Sequence, residues 1–148
     1  MALLIKNSQR HLTISRETLK KVIRKILSKY RISRYEINID FLDNSAIQKL
    51  NKKYLNHNCP TDVLAFPYPD SDSKSKNKLC ADIAISAEMA ITNSKIFKVD
   101  VKEELCLYVV HGLLHLVGFD DISAAKRKKM RKEEESLIKN LKPLIKKL

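Results

Sequence analysis

The stretch His111-Gly112-Leu113-Leu114-His115-Leu116-Val117-Gly118-Phe119-Asp120-Asp121 combines two histidines, a helix-ending glycine and two aspartates. An α-helix turns every 3.6 residues, so His111 and His115 lie on one face and both imidazoles can reach one metal ion. Gly118 can end the helix in a left-handed conformation, after which Asp120 or Asp121 can turn back toward the histidines. Two histidines and one carboxylate with an open coordination position are typical of a catalytic metal site. The stretch therefore predicts a hydrolytic metal centre carried by a helix.

The alternatives are a structural role for the histidines and a capping role for the aspartates. Adjacent side chains do not both point at one ion, so one aspartate is expected to bind it while the other orients a histidine N–H. The zinc-peptidase signature His-Glu-x-x-His has its general base directly after the first histidine, and that position is Gly112 here, which disfavours peptide hydrolysis. A glycine inside a helix costs about 1 kcal/mol relative to alanine. We therefore expect another backbone or a substrate to approach Gly112 closely.

The charge of the chain is the second informative feature. Its 148 residues carry a net charge of +12. Residues 1–34 hold ten basic and one acidic residue, and residues 124–148 hold ten basic and three acidic ones, whereas residues 35–123 hold nine basic and thirteen acidic ones. Two basic ends of this kind attract polyanions, although a merely solubilising Lys-rich surface is the alternative. Trp is absent and no aromatic stacking platform is evident, so contacts to backbone phosphates are expected rather than contacts to bases.

Composition indicates a cytoplasmic globular protein. The hydrophobic fraction is 44%, and no apolar run approaches the roughly 20 residues of a membrane helix. The N-terminal residues 1–7 lack a basic leader, a long apolar region and a cleavage site. Cys59, Cys80 and Cys106 form no close pair, so reduced thiols are expected, with Cys106 packed in a core.

Hydrophobic periodicity predicts one α+β domain in which a small, mixed, four-stranded sheet is covered by about five helices. The helix that carries the histidines is expected to be central, with Leu105, Val109, Leu113 and Leu116 facing the core. Strands are predicted at 2–6, around 37–41, at 63–66 and at 80–85. Each predicted helix starts at a polar residue that can cap it. The helices are predicted from Ser15 to about 30, from Asp43 or Asn44 to about 54, from Ser86 to about 97, from Asp100 to about 117 and from Ser123 to about 141.

Three local expectations follow from the same patterns. Ile47, Leu50 and Tyr54 are expected to face inward from the second helix. The last helix is expected to end before Pro143, because proline lacks a backbone N–H and clashes with the preceding turn. The polar segment from 68 to 78 is predicted to be a flexible loop.

Three blocks of this sequence resemble the YbeY endoribonucleases, also called rRNA maturation factors. Residues 111–120 match the family pattern His-Gly-x-Leu-His-Leu-x-Gly-Tyr/Phe-Asp-His up to its last position. Residues 50–54 (Leu-Asn-Lys-Lys-Tyr) and 60–67 (Pro-Thr-Asp-Val-Leu-Ala-Phe-Pro) are similar to Asn-x-x-Tyr/Phe-Arg followed by Thr-Asp/Asn-Val-Leu-Ser-Phe-Pro. Ala81-Asp82-Ile83 is similar to a third block, Gly-Asp-Ile.

The resemblance implies a single domain over residues 1–148 with a zincin-like metal helix and one zinc ion. It implies a metal-dependent, single-strand-specific endoribonuclease in rRNA maturation, including 16S rRNA 3′ end processing, and in ribosome quality control. The implied partners are ribosomal RNA, a small-subunit ribosomal protein and a ribosome-assembly GTPase, in the cytoplasm. A non-catalytic, rRNA-binding assembly factor with a structural metal site is the alternative.

The resemblance also implies the site residues. His111 and His115 bind the metal and support catalysis, and Asp121 stands at the family's third histidine position, with Asp120 as an alternative ligand or a partner of a ligand. Asp121 makes the site one charge more negative and more tolerant of Mn²⁺ or Mg²⁺. The family arginine after Tyr/Phe is Leu55 here. If that arginine stabilises negative charge in the transition state, either Lys52 or Lys53 replaces it or catalysis is weaker. The predicted contacts to the RNA backbone are Lys52, Lys53, Lys20, Arg24 and Arg127.

Overall fold

The structure, a computed structural model, describes residues 2–69 and 77–148. The predicted order of elements is confirmed: β1 Ala2–Asn7, α1 Arg16–Lys29, β2 Arg34–Leu42, α2 Asn44–Leu55, β3 Val63–Pro67, β4 Lys78–Ser86, α3 Ala87–Phe97, α4 Val101–Leu116 and α5 Ala124–Ile145. Of the loop predicted between β3 and β4, residues 70–76 lie outside the described residues, whereas Lys78 already pairs with Arg34 in β4.

The four strands form one mixed sheet, as predicted, and the structure gives their order as β1-β2-β4-β3. β1, β2 and β4 are parallel, whereas β3 pairs antiparallel with β4. Side chains alternate between the two faces of a strand, so Ile37, Ile39 and Phe41 of β2 all point to the same side. All three are almost fully buried there.

The two faces of the sheet carry cores of different size. The larger core contains β2 and β4 side chains together with α1, α4 and α5. The smaller core lies under α2, where Ile47 packs with Leu42, Leu64 and Ala84. α4 is therefore central, as predicted: Leu105, Val109 and Leu113 are at most 1% exposed, although Leu116 is only partly buried. Cys106 also packs in this core.

Each helix begins at a short polar side chain that accepts a hydrogen bond from a first-turn N–H. Such a cap stabilises a helix by about 1 kcal/mol because it satisfies a donor that has no partner within the helix. The predicted caps are confirmed, with Asp43 chosen over Asn44: Ser15, Asp43, Ser86, Asp100 and Ser123.

Two predicted details are wrong. The Tyr54 residue is 57% exposed, because it borders an open cavity on the face of the sheet that α2 partly covers, where its ring lies against Phe66 with ring centroids 5.3 Å apart. α5 continues through Pro143 to Ile145. The lost backbone hydrogen bond of Pro143 is offset by the burial of Ile145, which is 1% exposed.

Gly112 lets α4 lie close to the sheet. A Cβ atom at this position would lie 3.2 Å from Cγ2 of Val63 and 3.4 Å from Cγ2 of Ile83. The close approach predicted at Gly112 is thus made by side chains of β3 and β4, and not by another backbone or a substrate. Within the described residues, no helix combines the length and the apolar character that crossing a membrane requires.

Candidate metal centre

The end of α4 brings the predicted ligands together. Gly118 has a φ of +114°, a backbone conformation that residues other than glycine rarely adopt. The N–H of Gly118 donates to the carbonyl of His115 at 3.2 Å, and the N–H of Phe119 donates to the carbonyl of Leu114 at 3.0 Å. These two bonds form a Schellman turn, which reverses the chain. As a result, residues 119–122 return toward the C-terminal end of α4, where the helix dipole favours a cation.

His111, His115 and Asp121 form the one cluster of three potential metal ligands found among the described residues, with donor atoms within 4.8 Å of one another. The Nε2 atoms of the two histidines are 3.0 Å apart, and Nε2 of His115 is 4.0 Å from Oδ2 of Asp121. In a tetrahedral zinc site with bonds of about 2.0–2.2 Å, ligand atoms lie roughly 3.4 Å apart. The observed separations bracket that value, so the three side chains fit a single divalent cation.

Glu134 of α5 orients the first histidine. Its Oε1 atom lies 2.7 Å from Nδ1 of His111, and its side chain is only 13% exposed. An ionised carboxylate can only accept a hydrogen bond, so Nδ1 of His111 carries the proton and the lone pair of Nε2 is free to bind a metal. The same hydrogen bond raises the pKa of His111, against the opposing effect of burial.

Sequence reasoning missed Glu134. A signal was present, because Glu133, Glu134 and Glu135 form an acidic triplet inside an otherwise strongly basic helix. Glu133 accepts hydrogen bonds from Lys29 of α1 and from Tyr30, which follows that helix, so the triplet contributes both to helix packing and to the site.

Asp120 and Asp121 have different surroundings. Oδ1 of Asp120 accepts the N–H of Ile122 at 3.2 Å, and its Oδ2 lies 3.3 Å from Nζ of Lys126. The bond from Ile122, followed by that from Lys126, lowers the pKa of Asp120. In the described structure Glu134, rather than Asp120, accepts the histidine N–H. The role of Asp120 as an alternative ligand stays a prediction.

The candidate centre opens into a pocket of about 380 Å³ between α4 and α5. The pocket contains polar groups that the sequence did not single out. Glu104 is 7% exposed, and burial followed by the nearby charge of Asp62 raises its pKa. The lining residues include Asp62, Phe97, Glu104, Tyr108, Arg131 and Glu134.

Arg127 is the one predicted RNA-backbone contact that lines this pocket, and its Nη1 donates to the carbonyl of Asp121 at 3.3 Å. Among the described residues of the pocket wall, the other four predicted contacts are absent. Lys20 and Arg24 belong to α1, and Lys52 and Lys53 are exposed near the end of α2.

Comparisons with known proteins agree with the geometry. A family model described as Endoribonuclease YbeY matches residues 4–142. A protein named Endoribonuclease YbeY from Protochlamydia amoebophila is 37% identical over 116 residues, which cover 78% of this chain and 77% of that protein. One of the same name from Clostridium botulinum is 31% identical and covers 92% of this chain and 95% of its own length. The solution structure of TM1509 from Thermotoga maritima has the same fold, with a TM-score of 0.63 at 23% identity, covering 96% of this chain and 93% of that one.

Proposed function

We infer that this chain, which belongs to the YbeY endoribonuclease family, is an endoribonuclease whose reaction takes place at the candidate metal centre. The observation that carries the assignment of the site is the convergence of His111, His115 and Asp121 beside a pocket that His111 and Asp121 line. The resemblance found in the sequence is confirmed, and with it the α+β fold. The metal dependence and the roles of individual residues are proposals.

We propose that His111, His115 and Asp121 hold one divalent cation, and that the cation is zinc. Two imidazoles and a carboxylate form a donor set that zinc accepts, and the carboxylate also admits harder ions such as Mn²⁺. When bound, such a cation polarises a phosphate oxygen and acidifies water.

The residues of the chain prepare this site in three ways. Glu134 holds the proton of His111 on Nδ1, so that Nε2 is free to bind the cation. Arg127 holds the backbone of Asp121 by donating a hydrogen bond to the Asp121 carbonyl, and its positively charged guanidinium lies on the pocket wall. The basic α1 and α5 helices increase the rate at which a polyanion reaches the pocket.

We propose that the substrate is single-stranded ribosomal RNA and that the reaction belongs to rRNA maturation, including the 3′ end of 16S rRNA, and to ribosome quality control. The proposed partners are a small-subunit ribosomal protein and a ribosome-assembly GTPase, in the cytoplasm, with residues 1–148 acting as one domain. These proposals are supported by family membership and by the basic α1 and α5 helices.

A non-catalytic assembly factor is the second candidate. It is favoured by one observation: Leu55, which stands where the family pattern has arginine, is 50% exposed at the end of α2. Among the described residues, no cation from α2 lines the pocket to replace it. The same metal would then be structural.

The two candidates are separated by His115→Ala, with His57→Ala as a control because His57 is an exposed loop histidine. Bound metal is measured by elemental analysis, folding by circular dichroism, and cleavage on a single-stranded RNA from the 3′ end of 16S rRNA. We expect His115→Ala to stay folded, to lose metal and to lose cleavage, whereas His57→Ala keeps all three. Full cleavage by rigorously metal-free protein contradicts the proposed function. Normal rRNA ends in cells with folded His115→Ala protein favour the assembly factor.

A further inference from the structure

A trough runs from the candidate metal centre along α4 and α5. The pocket of about 380 Å³ that contains His111 continues into a second pocket of about 690 Å³. We call the joined space the α4–α5 trough, and its two parts share five lining residues: Phe97, Glu104, Leu107, Arg131 and Glu134. Of these five, the metal centre accounts only for Glu134.

Glu104 lines the trough without a hydrogen-bond or ion-pair partner among the described residues. It is 7% exposed, and within residues 2–69 and 77–148 its carboxylate accepts no hydrogen bond and forms no ion pair. It precedes His111 by seven residues, so it lies on the same face of α4, about 10 Å along the helix axis. Since neither carboxylate oxygen is fully shielded from solvent, Glu104 faces the open space of the trough. A ligand that supplies an N–H group can bind it there.

The other acidic side chains of the trough differ from Glu104. Glu134 is bonded to His111, and Glu103 lies 3.5 Å from Nζ of Lys142. Glu135 is exposed to solvent. Asp62 accepts the N–H of Val63 at 2.8 Å, and Asp121 belongs to the candidate metal centre. Glu104 is thus the poorly exposed carboxylate of the trough that remains available to a ligand.

An aromatic ring and a cation flank this acceptor. Phe97 ends α3 and is 63% exposed, which is unusual for a ring of this size. Arg131 of α5 is exposed, and in the described part of the chain its guanidinium has no hydrogen-bond or ion-pair partner. Leu107 adds an apolar side chain to the same lining. A flat apolar face, an acceptor for an amino group and a cation for phosphate are the three groups that bind a nucleotide.

We propose that the α4–α5 trough binds one unpaired nucleobase of the RNA, with the base stacked on Phe97, an exocyclic amino group on Glu104 and the adjoining phosphate on Arg131. The proposal rests on the proposed function, since continuity with the metal centre is what identifies the ligand as RNA. A base within a duplex has both faces stacked and cannot use Phe97, so the trough selects single strands. Cytosine carries an amino group at N4 that a glutamate accepts, whereas uracil presents an oxygen there.

Contacts to bases were not expected from the sequence, which shows no run of aromatic residues. The trough needs only one ring, because α3 ends beside the first turn of α4. The residues that link the two helices are 98–100, and Lys98 adopts a left-handed conformation with a φ of +55°. This tight reversal places Phe97 next to the trough.

Binding of octamers of deoxycytidylate and deoxyuridylate tests the proposal by fluorescence anisotropy on the full-length protein. The deoxy backbone presents the bases without offering a ribonuclease its substrate. Stacking on one aromatic side chain contributes about 1–3 kcal/mol per base, which corresponds to about 5- to 150-fold in affinity. We expect Phe97→Ala to weaken binding of both octamers by that factor. Glu104→Gln is expected to abolish a preference for the deoxycytidylate octamer.

Matched controls lie next to the tested residues. Ile96 is 64% exposed but does not line the trough, and Lys132 is exposed beside Arg131 and does not line it either. We expect Ile96→Ala to leave the affinity within twofold, and Arg131→Ala to weaken it more than Lys132→Ala does. Equal wild-type affinity for the two octamers, or equal losses in Phe97→Ala and Ile96→Ala, overturns the proposal. If Glu104→Gln loses the preference for deoxycytidylate but the wild-type protein cleaves no RNA, the nucleobase site in the trough is supported and the proposed function is contradicted.

Discussion

Removal of the Glu134 carboxylate should weaken metal binding without touching a ligand. Glu134 lies 2.7 Å from Nδ1 of His111, and both side chains are partly withdrawn from water, with exposures of 13% and 29%. The bond fixes which ring nitrogen of His111 carries the proton, and the negative charge makes the ring a stronger donor to the cation. Without it, the neutral imidazole can place its proton on Nε2, which must then be lost before a metal can bind.

Two substitutions separate orientation from charge. Removal of a partner of this kind typically costs 10- to 100-fold in metal affinity, or about 1.4–2.7 kcal/mol. In Glu134→Gln the amide oxygen can still accept from Nδ1, so only the charge is lost and we expect about a 10-fold decrease. In Glu134→Ala both are lost, and Nδ1 is left beside a cavity, so we expect a decrease closer to 100-fold.

The measurement is a competition titration of zinc against a chromophoric chelator, at constant pH and ionic strength. Glu135→Gln is the matched control, because it removes the same charge from the next, exposed position of α5. We expect it to change the affinity by less than twofold. If Glu134→Ala binds zinc as tightly as Glu135→Gln does, the carboxylate neither orients nor activates His111, and the reasoning is wrong.

Three further predictions concern stability. In Gly118→Ala a side chain is forced into a φ of +114°, so the free energy of unfolding should fall by about 1–3 kcal/mol in urea denaturation, and an unchanged midpoint contradicts this. Burial raises the pKa of Glu104 above its ordinary value of 4.5, so the wild-type protein loses stability as the pH rises from 4.5 through the raised pKa. Glu104→Gln should therefore melt at a higher temperature than wild type at pH 8, and an equal or lower melting temperature contradicts this. Hydrogen bonds from Lys29 and Tyr30 lower the pKa of Glu133, so its contribution is present above pH 4.5 and is lost as pH falls through the lowered value. Glu133→Gln should therefore melt lower than wild type at pH 7 but not at pH 2, and a difference that persists in acid contradicts this.

Features set by neighbouring residues could be predicted from the sequence. Ser15 and Ser86 cap their helices through an N–H three residues ahead, and His111 and His115 share a face because of helical geometry alone. Gly118 could be predicted to end α4, because a residue without a side chain readily adopts a positive φ. None of these requires knowledge of what packs against the helix.

Features that depend on packing between distant segments could not be predicted. Tyr54 belongs to the apolar periodicity of α2, yet whether it is covered depends on what else packs on that face of the sheet, and there it borders an open cavity. Pro143 breaks a helix on local grounds, but the docked position of Ile145 outweighs its effect. Burial of an aliphatic side chain stabilises by about 1.5–3 kcal/mol, which is comparable to the cost of a proline within a helix.

The candidate metal centre combines features of both kinds. Its candidate ligands lie within residues 111–121, so the turn after α4 is sufficient to bring them together. The residue that orients His111 comes from α5, which runs antiparallel to α4. Glu134 of α5 contacts His111, and Lys142 of α5 contacts Glu103 farther along the two helices. Any change that shifts α5 by one turn along α4, about 5.4 Å, separates Glu134 from His111 while leaving the ligands in place. Metal affinity should therefore report on the docking of α5, and substitutions at that helix interface should weaken zinc binding even where they lie far from the ion.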